Sequence, residues 1–521
     1  MDALVIADGR RFALAAQALC VVGVGLAAYA AVEPARLAAL RLSEPTAVLE
    51  YGEGFMLPGA ELVRERGLSA LYPASWDVPP LQVSPYPPVM YVLWALLAEA
   101  LGRGADYLPG RLIAAAGFAL GVALVYAIPR RLGVDRWLAA ASALTLPLTG
   151  ILARWLAVGR VDVPGVALSL LGVFCVLQLS GRAAVILATL CFAAALGFKQ
   201  SLVAAPVAAF LYLLTVGRAR EALGLALGLG GVGIATVALL QWFTDGGFAL
   251  GIVFAQRMGI QWSEGFLAMF EKAVGLGLLL PALPLALALP LLLLGWRGPE
   301  RLVTLYFAIS WALSLATVGK VGANTNHMLE PLFATFVAAP VGASLLARRI
   351  AGSEANGRAR MRWAAPLRAL VVVALACTAL FMSGRIAVGR ETQASIFARM
   401  PKRLRLDLPE RGFVMMNPGL LPLLGIPATR LYWNEPYAVS VHAALGGFRS
   451  ETVLEDLQDG TISALVENQP LEVQPVSRPR FVGDFERGWG PWSIRPWLET
   501  ARREFRRVEI RPPYHVYHRA P

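Results

Sequence analysis

The sequence predicts an α-helical polytopic membrane protein, with about eleven transmembrane helices and a small C-terminal α/β soluble domain. Three observations carry that prediction. Of 521 residues, 57% are hydrophobic and only 16% charged, with a mean hydropathy of +0.58, which sets the chain apart from soluble globular proteins of this length. The apolar residues gather into stretches of about twenty, the length that crosses a bilayer core. The charged residues sit at the ends of these stretches, and the two kinds of end differ in chemistry.

One set of ends carries arginine clusters: Arg10-Arg11, Arg130-Arg131, Arg182, Arg218 with Arg220, Arg297 with Arg301, and Arg348-Arg349 running on to Arg362. The other carries acid, amide and lysine: Glu50 and Glu53, Arg160 with Asp162, Lys199-Gln200, and the run from Lys320 to Glu330. On opposite sides of a bilayer, the first set is the arginine-rich cytoplasmic face and the second a reaction face. The formal charge of +12 is then positive-inside anchoring and not a nucleic-acid surface, because the basic residues flank apolar spans. Cys20, Cys175, Cys191 and Cys377 all lie inside apolar stretches, which excludes a disulfide frame or a CxxC metal site.

Spans are expected near 12–32, 110–129, 136–153, 163–181, 183–198, 201–217, 222–241, 273–295, 302–319, 328–347 and 364–384. The first lacks a small-residue cleavage pattern and reads as a retained helix. With the amino terminus inside, every arginine cluster falls in the cytoplasm and every acid-amide-lysine motif outside. Segment 86–101 opens on two prolines and carries Glu99, which suits an interfacial helix within one long outer loop, 33–108. Segment 242–272 mixes charges with Phe248, Phe254, Trp262, Phe266 and Phe270 and reads as an amphipathic helix on the outer leaflet. Residues 1–384 then form the membrane domain, and 385–521 a polar, proline-rich outer tail. Strand-like runs start at Phe413, Ile462 and Val508, and 496–507 reads as a helix. The arginines after 385 argue for the cytoplasm, whereas the span count places the tail outside.

Four loops could carry chemistry. Glu50-Tyr51-Gly52-Glu53-Gly54 can aim two carboxylates into a cleft, where a dry carboxylate deprotonates a hydroxyl; solvated loop acids are the plainer reading. Arg160 can grip a phosphate while Asp162 orients it, or the pair merely pins a helix end. Lys199-Gln200 interrupts apolar sequence on both sides, and an ammonium at that depth needs an anionic partner, either a lipid phosphate or a structural carboxylate. Lys320, Asn324, Asn326, His327 and Glu330 can bind a phosphate and sugar hydroxyls, or build a hydrogen-bonded turn. His327 with Glu330 alone does not make a metal site. All four motifs fall on one side of the membrane, where random placement would scatter them.

At these residues the chain resembles the GT-C class of membrane glycosyltransferases, which includes protein O-mannosyltransferases and lipid A aminoarabinose transferases. The matching pieces are Glu50 to Gly54, Tyr86-Pro87-Pro88-Val89-Met90-Tyr91, Gly110-Arg111-Leu112-Ile113-Ala114, Arg160-Val161-Asp162-Val163-Pro164, Phe198-Lys199-Gln200 and Gly322 to His327. The resemblance covers most of 1–347, and the tail from about 412 is also similar to bacterial members. It implies a GT-C-like fold in a bacterial cytoplasmic membrane, with the site facing the exterior. It also implies inverting transfer of a sugar from a polyprenyl-phosphate donor to a hydroxyl of a glycan, lipid or protein acceptor. Under it Glu50 or Glu53 is the general base, Asp162 a second acid, and Arg160, Lys199 and Lys320 phosphate ligands. Glutamates stand where many members place an aspartate, and the class leaves a divalent cation open. A flippase for a lipid-linked saccharide is the rival reading. It predicts mid-membrane polar residues and repeat symmetry, and the sequence shows neither.

Overall fold

Among the described residues of the computed structural model, ten apolar helices are candidates to lie in the membrane: six long enough to cross it, and Val89–Ala100, Asp162–Gln178, Ala204–Thr215 and Ala282–Leu294, which are shorter. The structure describes residues 2–253, 282–320, 324–352, 357–434, 450–467, 494–511 and 514–520, with Leu267, Pro436, Val439 and Leu471. Each of the eleven apolar stretches coincides with helix, the eighth only from Ala282 onward. Most of the expected amphipathic segment 242–272 lies outside the described residues.

In chain order the helices are α1 (Asp2–Ala30), α2 (Val32–Ser43), α3 (Tyr51–Arg66), α4 (Val89–Ala100), α5 (Leu108–Arg131), α6 (Arg136–Thr145), α7 (Gly150–Trp155), α8 (Asp162–Gln178), α9 (Gly181–Phe198), α10 (Ala204–Thr215) and α11 (Ala219–Phe243). They continue as α12 (Gly247–Ile252), α13 (Ala282–Ala288), α14 (Pro290–Leu294), α15 (Glu300–Thr317), α16 (Leu329–Gly352) and α17 (Gly357–Arg399). Close helix approach uses small residues, as membrane packing requires. A Cβ on Gly117 of α5 would stand 2.7 Å from Pro164 Cα of α8.

The stretch 136–153 is not one rod. It breaks after Thr145 at a 3-10 turn containing Pro147 and resumes as α7, because proline cannot continue the backbone ladder. Arg41 of α2 caps the C-terminal end of α7, its Nη1 donating to the carbonyls of Ala153 (2.9 Å), Arg154 (3.1 Å) and Leu156 (2.5 Å). Ala157, at φ 52°, then turns the chain sharply before Gly159 and Arg160.

The segment 33–108, expected as one outer loop, is largely helical, carrying α2, α3 and α4, and α17 runs well past residue 384 to Arg399. The tail folds around a four-stranded sheet of order β1-β2-β4-β3: β1 (Phe413–Met416) parallel to β2 (Ile462–Glu467), β4 (Tyr514–Arg519) antiparallel to both β2 and β3 (Phe505–Arg511). The helix expected over 496–507 ends at Glu504. Phe505 is extended (φ −115°, ψ 142°) and buries its ring to 3% exposure, so it starts β3 instead.

The tail is tied to the first outer loop by paired polar contacts. The Leu81 amide donates to the Tyr432 carbonyl at 2.7 Å, and Asn434 takes the Val83 amide at 2.7 Å while donating to its carbonyl at 3.1 Å. Lys402 pairs with Glu44.

Candidate active site

Asp162 begins α8, where the helix end favours a negative charge, and it is the hub of a buried network. Its Oδ1 accepts from Lys199 Nζ at 2.6 Å and Asn326 Nδ2 at 3.0 Å, and its Oδ2 from Arg160 Nε at 3.2 Å. Lys199 follows the last residue of α9 in extended geometry, which swings its side chain across to α8. The partner left open in the sequence is thus a structural carboxylate.

Arg160 links this hub to the first loop. Its Nη1 donates to Glu50 Oε2 at 3.0 Å and its Nη2 to the Tyr86 hydroxyl at 2.8 Å. The guanidinium also lies among three rings, 5.3 Å from the Trp155 centroid, 5.7 Å from Tyr86 and 5.8 Å from Phe55. Burial opposes its charge, but Tyr86, Glu50 and Asp162 overcome that and hold its pKa well above the ordinary value. Glu50 caps α3, its Oε2 accepting the amides of Gly52 (2.6 Å) and Glu53 (3.3 Å). Position 52 admits only glycine, since a Cβ there would fall 1.4 Å from Arg160 Nη1.

Glu53 lies in a separate layer, with its side chain fully buried. Arg111 of α5 grips it with Nε to Oε1 at 2.8 Å and Nη2 to Oε2 at 2.7 Å. The Gly159 amide adds 2.8 Å to Oε1 and the Leu49 amide 3.0 Å to Oε2. The remaining donors of Arg111 reach the carbonyls of Arg41 at 2.7 Å, Glu44 at 2.8 Å, and Ala47.

The fourth loop divides its residues. Asn326 joins the Asp162 hub, whereas Asn324 turns back to cap Thr325 at 2.7 Å and His327 Nδ1 meets Thr317 Oγ1 at 3.1 Å. Thr325 Oγ1 accepts the Trp155 indole at 3.0 Å, which locks this loop to the arginine's ring enclosure. Gln200 donates to the Pro85 carbonyl at 2.9 Å, fastening α9 to the segment that carries Tyr86. Lys320 is drawn into the same field: burial, then the nearby Lys199, pushes its ammonium down to about 8. Glu330 lies beside the Tyr306 hydroxyl, its buried Oε1 without a hydrogen bond of ordinary geometry among the described residues.

Of the residues expected from sequence, Glu50, Arg160, Asp162, Lys199 and Asn326 form one connected network. Glu53 stands behind it, and Gln200, Asn324 and His327 shape the loops. Sequence reasoning missed Arg111, Tyr86, Phe55 and Trp155 as site builders. A lone arginine inside the start of an apolar span was the available signal for Arg111, since such a charge must find an anion. Among the described residues no three His, Cys, Asp or Glu side chains cluster closely enough to hold a metal ion.

No family model and no curated protein sequence matches the chain. Among solved structures it is similar to ArnT from Cupriavidus metallidurans in the apo state, with TM-score 0.58 and 14% identity over 96% of this chain and 98% of that one. The same enzyme bound to undecaprenyl phosphate gives 0.57 and 15%, over 93% and 97%. The apo oligosaccharyltransferase of Archaeoglobus fulgidus gives 0.50 and 10%, over 93% of this chain and 72% of that one. Identities this low speak for architecture, and the chain has the GT-C-type fold that its loop motifs led one to expect.

Proposed function

We propose that this membrane protein transfers a sugar from a polyprenyl-phosphate donor to a hydroxyl acceptor at the outer membrane surface, with inversion. The observation that carries the reading is the buried network in which Arg160 and Lys199 are held side by side on Asp162 next to the carboxylate of Glu50. Arg160 spends three of its five N–H groups within the protein and Lys199 one of its three, so each keeps two for a ligand. That donor surplus fits a phosphate, and the solved ArnT complex with undecaprenyl phosphate supports the choice of lipid.

Glu50 is the base in this reading. Both oxygens of Glu53 already accept two hydrogen bonds each, which leaves no lone pair for a proton. Glu50 uses Oε2 for its cap and for Arg160, while Oε1 accepts no hydrogen bond among the described residues. In the proposed step Oε1 takes the acceptor's hydroxyl proton, and the oxygen attacks the anomeric carbon from the face opposite the phosphate. The carbon–oxygen bond to phosphate breaks, and its electron pair leaves on the phosphate beside Arg160 and Lys199. Asp162 keeps the two cations oriented. Glu330, Asn324 and His327 line the loop that approaches the donor's sugar.

A labelled polyprenyl-phosphate sugar, the purified protein and a hydroxyl acceptor test the reading through the pH dependence of donor use. Lys320 is charged below about 8 and neutral above it, so the attraction to phosphate is present on the acid side and lost as pH rises. The apparent donor KM should rise about fivefold over the pH unit above that point, and Lys320→Arg should flatten the rise. No labelled product at any pH, or a KM indifferent to pH in wild type, contradicts the proposal.

A further inference from the structure

We propose that the turn Asn417–Leu420 of the soluble tail is a positioning element for Glu50, acting through Gly419 against the acid loop and through the Tyr107 hydroxyl. The proposal rests on the role given to Glu50 above.

Two glycines face each other here. A Cβ on Gly54 would lie 3.3 Å from Gly419 Cα, and a Cβ on Gly419 would lie 3.4 Å from both methyls of Val48. The turn therefore packs closely on the backbone at Gly54 and on the Val48 methyls, so a shift of the turn is passed to segment 48–54. The turn is itself fixed. Asn417 Oδ1 accepts the Gly419 amide at 2.9 Å, and the Gly419 carbonyl accepts the Tyr107 hydroxyl at 3.1 Å. Tyr107 is fully buried, its amide donates to the Pro45 carbonyl at 2.8 Å, and its ring sits 5.1 Å from the guanidinium carbon of Arg111. Turn, Tyr107 and Arg111 thus brace residues 44–54 from behind.

The front of that segment has no slack. Glu50 is held extended (φ −155°, ψ 148°) as the cap of α3, and Gly52 lies against Arg160 with no room for a methyl. Displacing the segment changes the Glu50–Arg160 geometry before it disturbs anything else. A tail that only packed against the loop would add stability. One that sets this pair's geometry controls the rate.

The test uses full-length protein and two readouts. In the first, amide exchange without substrate, Gly419→Val should speed exchange at Leu49, Gly52 and Glu53 by about tenfold, leaving β2 unchanged as a control for folding of the tail. Tyr107→Phe, which keeps the ring, should do the same by about threefold. In the second, Gly419→Val should lower kcat about 10–100-fold with donor KM within about threefold, and that loss should vanish in a Glu50→Gln background. Unchanged exchange at those three amides overturns the proposal, and so does a kcat loss that persists in full without Glu50. The exchange readout needs no sugar donor, so its failure is separable from failure of the transferase reading.

Discussion

Glu50→Gln is expected to cut the single-turnover rate of sugar transfer by about 10²–10⁴-fold, the range for removing a general base. Glutamine keeps an oxygen for the amides of Gly52 and Glu53, so the α3 cap and the fold should survive. It also keeps an acceptor for Arg160, now neutral opposite the charged guanidinium and so a weaker bond than the ion pair. What disappears is the site for the acceptor's proton. Glu53→Gln should behave differently, because that carboxylate is bonded on every side: stability should drop, with activity per folded molecule nearly preserved. A normal transfer rate in Glu50→Gln would remove the proposed base.

Arg111→Met should cost about 3–5 kcal/mol or more, read from denaturant titration in mixed micelles. The change strands the Glu53 carboxylate in a fully buried position, and it also orphans the carbonyls of Arg41, Glu44 and Ala47 around the end of α2. Arg111→Lys should recover only part of the loss, since three donors from a single point cannot serve five acceptors placed around a planar fork. Adding Glu53→Leu to Arg111→Met should recover part as well, by removing the unpaired charge while the carbonyls stay exposed to the defect. A change within about 0.5 kcal/mol for Arg111→Met would show that the network is not a framework element.

Much of the fold was legible because bilayer length and charge sidedness are written locally in the sequence. The described parts of the eleven apolar stretches fall on helices, and the strand-like runs at Phe413, Ile462 and Val508 lie in strands. The misses are places where tertiary contacts decide. The short helix α7 that follows the break at Pro147 is capped by Arg41, more than a hundred residues away, which donates to the carbonyls of Ala153, Arg154 and Leu156. Phe505 leaves the helix because the sheet buries its ring, which periodicity does not report. β4 escaped notice because Tyr514-His515-Val516-Tyr517-His518-Arg519 is too polar to read as a buried strand.

The site shows the same division. Sequence named Glu50, Arg160, Asp162 and Lys199 one loop at a time, and only their three-dimensional meeting reveals which are partners of which. The two glutamates of the first loop look interchangeable in the chain. Arg111, from a different helix, separates them: with the Leu49 and Gly159 amides it saturates Glu53, while Glu50 keeps Oε1 without a partner among the described residues.

The central claim is that these loops form one receptor for an anionic lipid headgroup. Structure determination of the protein with a polyprenyl phosphate in nanodiscs tests it most directly. The account predicts the phosphate within hydrogen-bond distance of both Arg160 and Lys199, with Glu50 across the space left for the sugar. A phosphate seated out of reach of Arg160 and Lys199 contradicts it.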